Sequence, residues 1–139
     1  MAHAQSELLL HFLLELTKNQ LQKHVSFHPI AASTDTSGQP TLEAVHTGNE
    51  HPKPEELMTE YSRILKEKAK QGSITAAGTT LDVKITKEDG SATDAIQIDL
   101  EHVSGESMTL FLSYIKNGSG IEYGELSRQQ KDPIWFAAK

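Results

Sequence analysis

The sequence contains no cysteine among its 139 residues. Disulfide bonds, thiolate metal ligands and cysteine nucleophiles are therefore excluded, and the composition suits a reducing compartment. The chain also has no block of clustered Lys and Arg, and its formal net charge is -6. Because nucleic acids and acidic membranes attract proteins through clustered positive charge, the sequence offers no electrostatic basis for binding either one. We therefore expect neither a nucleic-acid partner nor a membrane partner.

Long apolar segments are missing as well. The leucine-rich run over residues 8–16 is far shorter than the ~20 apolar residues that span a membrane. It contains His11 and Glu15, and it lacks the basic segment and the small-residue cleavage site of a signal peptide. We therefore expect it to be a helix of a mature cytoplasmic protein. The chain length fits a single domain over residues 1–139.

Two familiar catalytic motifs are also absent from the sequence. There is no Gly-x-Ser-x-Gly elbow, so an esterase mechanism has no support. Residues 118–120 hold two glycines, but no Lys-Ser or Lys-Thr pair follows them as in a phosphate loop, and we interpret the segment as a linker. Neither an esterase nor a phosphate-loop enzyme is therefore supported by its motif.

Histidines are the main candidates for a metal site. His24 and His28 stand four residues apart, a spacing that suits a shared metal ion on a helix. The flanking residues instead favour the start of a strand, where the two side chains would lie about 13 Å apart at ~3.3 Å per residue. The pair alone cannot bind zinc, and a composite site would need His46, His51 or His102 as well. We predict no metal and no cofactor.

Hydrophobic periodicity predicts two helices. The first covers residues 5–22, where the leucines form a stripe that Leu10 and Leu14 widen beyond a single face. The second begins near Pro54 and ends at Gly72, with acidic residues in its first turn and lysines near its end. We interpret the wide stripe of the first helix as a surface buried on two sides. The alternative is that its extra leucines contact a partner chain.

Alternating apolar residues, separated by clusters of turn-forming residues, predict five strands. The strands occupy residues 25–35, 41–47, 74–85, 94–103 and 107–115. The order of elements is therefore α-β-β-α-β-β-β, followed by a tail over residues 121–139 that we expect to pack onto the body. We predict an α+β fold in which an antiparallel meander sheet carries the helices on one face. This order is similar to that of roadblock, longin-type and profilin-like domains, which are mostly interaction modules, although a shared fold transfers no site.

Three stretches of the second half are distinctive. They are residues 72–78 (GSITAAG) running to Asp82-Val83, residues 93–102 (TDAIQIDLEH) and residues 120–125 (GIEYGE). Together they resemble a family of small uncharacterised bacterial α+β proteins, from the second helix to about Glu125. The resemblance implies a bacterial type of cytoplasmic protein and a shared fold, and it transfers no functional residue.

The last two strands are expected to form a hairpin whose register decides which side chains share a face. A two-residue turn at 104–105 would pair Leu100 with Thr109. A three-residue turn at 104–106 would pair Leu100 with Leu110 and would place apolar residues opposite one another along the whole ladder. We predict the three-residue form, although glycine usually occupies the last position of such loops.

An acidic stretch runs along the fourth predicted strand and into the turn after it. Asp94, Asp99, Glu101 and Glu106 stand without a single Lys or Arg between them. We interpret them as a solvated sheet face, and the alternative is a docking face for a basic partner or a weak cation site. Glu101 and His102 are adjacent, so they point to opposite faces of a strand and cannot act as an acid–base pair. We expect His102 to be a hydrogen-bonded histidine at the core margin.

The function that these features favour is a non-enzymatic interaction or regulatory module. It would bind another protein or a second copy of itself, as a homodimer, with His28, Asp99, Glu101, His102 and Tyr114 as candidate contact residues. One alternative is a small hydrolase or isomerase that combines His28, His102, Tyr114 and a carboxylate. Another is a small-molecule sensor with a pocket between helix and sheet. Convergence of the polar side chains in one cleft would favour the enzyme, and scatter would favour the module.

Overall fold

The computed structural model describes residues 4–24, 27–45, 48, 52–118 and 120–136. Its elements are α1 (Ala4–Lys23), β1 (Ile30–Asp35), β2 (Pro40–Leu42), α2 (Pro54–Gln71), β3 (Ile74–Thr86), β4 (Ala92–His102), β5 (Ser107–Asn117) and β6 (Gly120–Gln130). The strands form one antiparallel sheet in the order β2-β1-β3-β4-β5-β6. The predicted α+β class and the order of its elements are confirmed.

The sixth strand, β6, falls in the region that the sequence predicts to be a tail. It lies at the edge of the sheet with most of its side chains exposed, so its alternation of apolar and polar residues is weak. Its register with β5 shifts so that residues 124–125 face the single residue Ser113. A bulge of this kind twists an open edge and makes it a poorer template for another strand.

α1 covers one face of the sheet, which we call the inner face. Leu9 and Leu13 are fully buried there in a cluster with the isoleucines of β4. Leu10 is 2% exposed, and Leu14 packs at the margin of the same cluster. The wide stripe of leucines therefore belongs to the core between α1 and the sheet, whereas the interpretation of a helix buried on two sides was wrong because, among the described helices and strands, α1 packs against the sheet alone. Leu8 remains exposed on the solvent side of the helix.

α2 begins and ends where its sequence predicts. Pro54 stands in the first turn, and Glu55 and Glu56 lie at the positive end of the helix dipole. Gly72 closes the helix in the left-handed conformation at φ 74°, where its N–H donates to the carbonyl of Ala69. Glycine adopts this conformation without steric cost, which explains the sharp end.

The two helices lie on opposite faces of the sheet, and we call the face under α2 the outer face. Ala32 and Ala76 belong to the cluster of α1, whereas their neighbours Ala31 and Ala77 belong to the cluster of α2. Since successive residues of a strand point to opposite faces, the helices divide between the faces instead of sharing one. β1 and β3 carry small side chains on both faces and can therefore accept a helix on each.

The hairpin between β4 and β5 has a three-residue loop at 103–105. The N–H of His102 donates to the carbonyl of Glu106 over 2.8 Å and closes this loop. Gly105 occupies its last position with φ 106°, the left-handed conformation that glycine favours there. The predicted loop length is confirmed, and the predicted loop position was wrong by one residue.

The register of the hairpin follows from this loop. Leu100 pairs with Met108 instead of Leu110, so the predicted pairing was wrong by two residues. A shift of two residues preserves which side chains share a face, because side chains alternate with a period of two. Apolar residues still lie opposite one another on the inner face.

Gly78 of β3 lies under α1 at a position that has no room for a side chain. A Cβ atom there would stand 2.7 Å from Cδ1 of Leu13 and 2.8 Å from Cδ2 of Leu100. Because protein cores are packed as densely as organic crystals, both leucines would have to move. The absence of a side chain at Gly78 therefore sets how closely α1 approaches the sheet.

Gly78→Ala should lower the free energy of unfolding by about 1–3 kcal/mol, the usual cost of overpacking a core. Gly118→Ala is the matched control, because a Cβ atom at Gly118 meets no other atom within 4 Å. Urea denaturation measures both variants. Equal stability of the two would contradict the close approach of α1 to β3.

Candidate functional site

His102 lies beside the β4–β5 loop and is 5% exposed. The backbone N–H of Ser104 donates to its Nδ1 over 3.0 Å, and this pattern assigns the ring proton to Nε2. Nε2 then donates to Oε1 of Gln5 over 2.9 Å. Both ring nitrogens are therefore engaged in hydrogen bonds that hold the first turn of α1 against the hairpin.

Glu101 points to the outer face, and its side chain is completely buried. Its Oε2 accepts hydrogen bonds from Nζ of Lys131 over 2.6 Å and from the backbone N–H of Ile134 over 2.8 Å. Its Oε1 accepts from the backbone N–H groups of Trp135 and Phe136 over 2.9 and 3.0 Å. We call this arrangement the Glu101 latch, because it fastens residues 131–136 to the sheet.

The Glu101 latch also connects the C-terminal segment to α2. Trp135 is buried in the cluster of Leu65 and Ala77, and its Nε1 donates to Oγ of Ser62 over 3.1 Å. Lys131 lies over the Trp135 ring at 5.2 Å from its centroid, a cation–π contact. The buried carboxylate is satisfied on both oxygens, so its role is structural.

Glu101→Gln should destabilise the fold by about 3 kcal/mol, because it leaves the Lys131 ammonium without its buried counter-charge. The chain has one tryptophan, Trp135, so tryptophan fluorescence reports on the segment directly and should shift to longer wavelength as the segment detaches. Glu122→Gln, at an exposed carboxylate, is the control. Unchanged emission and stability in Glu101→Gln would contradict the role of the latch.

A second buried carboxylate, Glu43, follows β2. Its Oε2 accepts from Oγ of Ser33 over 2.5 Å, and its Oε1 accepts from Nζ of Lys68 over 2.6 Å. The cluster ties β1 to α2 and leaves Glu43 only 5% exposed. Sequence reasoning missed this residue because a single Glu after a short strand shows no pattern that marks burial.

Tyr114 lies on the inner face of β5, where its hydroxyl donates to Oδ1 of Asp82 over 2.8 Å. Burial raises the pKa of Asp82 above its usual value, by more than the hydrogen bonds from Tyr114 and the Phe27 backbone lower it. Burial, together with the hydrogen bond to Asp82, also raises the pKa of Tyr114. Asp82 was not among the predicted site residues, because its strand reads as a regular alternation of apolar and charged residues.

The raised pKa of Asp82 makes the stability of the protein depend on pH. The folded state binds the Asp82 proton more readily than the unfolded state, so ionisation of Asp82 weakens the fold as pH rises through the folded pKa. Asp82→Asn should therefore raise the melting temperature relative to the native protein at pH 7, since the neutral amide can still accept the bond from Tyr114. The gain should vanish as pH falls towards 3.8, the ordinary aspartate value. Thermal denaturation across this range measures the gain, and a gain that grows at acid pH would contradict the assignment.

The candidate residues do not converge on one cleft. Tyr114 pairs with Asp94, which lies eight residues from His102 on β4, about 26 Å away at ~3.3 Å per residue. His28 is exposed in the segment before β1. Asp99 lies on the outer face, where a threonine hydroxyl donates to it over 2.5 Å. These positions are distributed over both faces and both ends of the sheet.

The acidic stretch is likewise divided between the faces. Asp94 lies on the inner face, where Nζ of Lys84 donates to it over 2.9 Å. Asp99 and Glu101 lie on the outer face, and the latch neutralises Glu101. Asp99 is the member of the stretch that keeps a partly exposed carboxylate on the outer face.

Two open grooves lie at the periphery of the sheet. One of about 890 Å³ lies near the ends of β5 and β6 and is lined by residues that include Glu7 and Arg128, which form an ion pair at 2.9 Å. The other, of about 440 Å³, lies between the end of α1 and the β5–β6 turn. Neither groove contains any of the five candidate contact residues. Within the described part of the chain, no three His, Asp or Glu side chains are grouped to hold a metal ion, and His46 and His51 lie outside it.

The outer face carries large apolar side chains beyond α2 and the Glu101 latch. They occupy alternate positions of β3 and β5 and form what we call the open patch: Leu81, Val83, Ile85, Phe111 and Ile115. Ile115 is 52% exposed, and the other four are partly exposed. α2 packs over residues at the start of β3, and among the described residues the cluster that it forms with Trp135 contains none of the open patch.

Searches against protein-family models, curated proteins and solved structures each found no match. The resemblance to small bacterial proteins and the analogy to roadblock and profilin-like domains therefore stay predictions. Among the described residues, neither helix combines the length and the apolar character needed to cross a membrane.

Proposed function

We propose that the protein is a non-enzymatic interaction module that binds another protein through the open patch. The observation that carries this proposal is the direction of the side chains on β3. Leu81, Val83 and Ile85 point away from α1, whereas Asp82 and Lys84 point to its side. The solvated face of an antiparallel sheet is normally the polar one. Apolar side chains on the face without cover are typical of a surface that a partner buries.

The composition of the open patch suits the centre of a protein–protein interface. Interface centres are depleted of charge and enriched in aromatic and large apolar side chains, as Phe111 and its aliphatic neighbours are here. Complete burial of such a side chain contributes ~1.5–3 kcal/mol. The members of the patch are partly buried already, so a partner that covers them gains a fraction of that free energy. Gln97 stands between Leu81 and Phe111 and adds hydrogen-bonding groups within the patch.

The hydrolase or isomerase alternative has weaker support. It requires His102 and Tyr114 in one cleft, and they lie near opposite ends of β4 and β5. A small-molecule sensor would need a pocket between α1 and the sheet, where Leu9 and Leu13 fill the space against Ile98. Self-association through the first helix has weaker support as well, because the leucines that widen its apolar stripe belong to the core.

Ile115→Ser and Leu8→Ser are a matched pair that tests the proposal. The two side chains are 52% and 50% exposed, but Ile115 belongs to the open patch and Leu8 to α1. A purified partner of the native protein should bind Ile115→Ser about tenfold more weakly, because the variant removes the most exposed apolar side chain of the open patch from the interface. Leu8→Ser should bind with native affinity, as measured by isothermal titration calorimetry.

A partner that is lost with Leu8→Ser and kept with Ile115→Ser would contradict the proposal. It would show that α1 forms the interface, as the alternative interpretation of its leucines requires. Phe111→Ser provides a second position on the patch, and circular dichroism before titration verifies that each variant is folded.

A further inference from the structure

We infer that the partner of the open patch is an amphipathic helix whose apolar ridge is flanked by Lys or Arg. This inference rests on the proposed function and adds the chemistry of the partner. Its first basis is charge. Asp99 and Glu122 lie on the outer face beside the apolar residues, Asp99 next to Gln97 on β4 and Glu122 opposite Ile115 on β6.

The cations of the same strands lie on the other face. Lys84 donates to Asp94 on the inner face, and Arg128 donates to Glu7 of α1. Lys116 donates to the backbone carbonyl of His24, just beyond α1. Within the described part of β3 to β6, the outward positions beside the patch therefore carry carboxylates and no Lys or Arg. Complementary charge around an apolar centre sets orientation and excludes wrong partners.

The same charges disfavour a second copy of this chain as the occupant. Two copies that packed outer face to outer face would bring Asp99 and Glu122 of one copy towards the same carboxylates of the other. Within β3 to β6 no Lys or Arg at an outward position could neutralise them, and Lys87 follows β3 in the turn beyond Ile85, at the end of the patch away from Asp99. Like charges brought together in an interface oppose association, so a different, basic partner fits better.

The dimensions of the patch suit a helix. The patch spans three strands, which is about 10 Å across at a spacing of ~4.8 Å, and runs about 13 Å from Leu81 to Ile85 at ~3.3 Å per residue. A helix is about 10 Å wide and covers 13 Å in about nine residues. Two to three turns with apolar residues at i, i+3, i+4 and i+7 would therefore cover the patch. α1 covers the inner face of the same strands in the same layered manner.

Two synthetic helices with the same leucine pattern test the inference. One carries Lys at all other positions and the second carries Gln, so the leucine pattern is the same and the charge differs. NMR titration of the labelled native protein should map both to outward residues of β3, β4 and β5. The Leu/Lys helix should bind about tenfold more tightly than the Leu/Gln helix at low salt, and this advantage should shrink in 0.5 M salt.

In the double variant Asp99→Asn/Glu122→Gln, the Leu/Lys helix should bind less than about threefold more tightly than the Leu/Gln helix. Glu122→Gln alone, at an exposed position, should reduce the affinity difference in part without disturbing the hydrogen bonds of Asp99. Glu15→Gln/Glu67→Gln removes the same charge from exposed helix positions and should leave it unchanged. Equal affinity of the two helices for the patch would overturn the inference that the partner is basic, while the proposed function stands. The same would follow if the control variant lost as much of the affinity difference as Asp99→Asn/Glu122→Gln. Failure of both helices to shift patch resonances, or shifts centred on α1, would overturn both.

Discussion

Strict alternation of side chains along β4 determines both the inner core under α1 and the buried carboxylate on the outer face. The inward residues of β4 pack against α1, and they are Ile96, Ile98 and Leu100. Asp99 and Glu101 point outward. A slip of one residue in the pairing of β4 would place the Glu101 carboxylate under the leucines of α1 and the isoleucines in solvent. The inner core and the Glu101 latch are thus two consequences of one register, and each would be lost with the other.

The two faces of the sheet are covered to different extents, and this difference connects the fold to the proposed function. α1 fills the inner face, where Gly78 lets it approach closely. On the outer face, α2 and the latched segment cover β1, the start of β3 and the end of β4. The other half carries the open patch beside Asp99 and Glu122. The buried acids Glu43 and Glu101 and His102 have structural partners, and we propose the open patch and the two carboxylates beside it as the recognition surface.

Local sequence patterns predicted the helices and strands whose signals lie within their own segments. The features that these patterns did not predict depend on contacts between residues distant in the chain. The caps of α2 and the alternation of β4 are properties of their own segments. The direction of Leu81, Val83 and Ile85 depends on how β3 pairs with its neighbours, and alternation alone cannot say which face a helix covers. The Glu101 latch joins residues 30 to 35 positions apart, and no spacing rule marks it. The loop of the β4–β5 hairpin follows the left-handed preference of Gly105. The apolar pairing on which the predicted register was based does not distinguish two registers that differ by two residues, because both pair apolar side chains on the inner face.

Site-specific photo-crosslinking in the native cell identifies which surface of the protein contacts a partner. A photoreactive phenylalanine analogue at Phe111 reports on the open patch, and the same analogue at Leu8 reports on the exposed side of α1. If the open patch binds a basic amphipathic helix, position 111 should crosslink to a basic, amphipathic segment of another protein, and position 8 should give no such product. Crosslinks from position 8 alone, or from position 111 to a second copy of this chain, would contradict this binding mode.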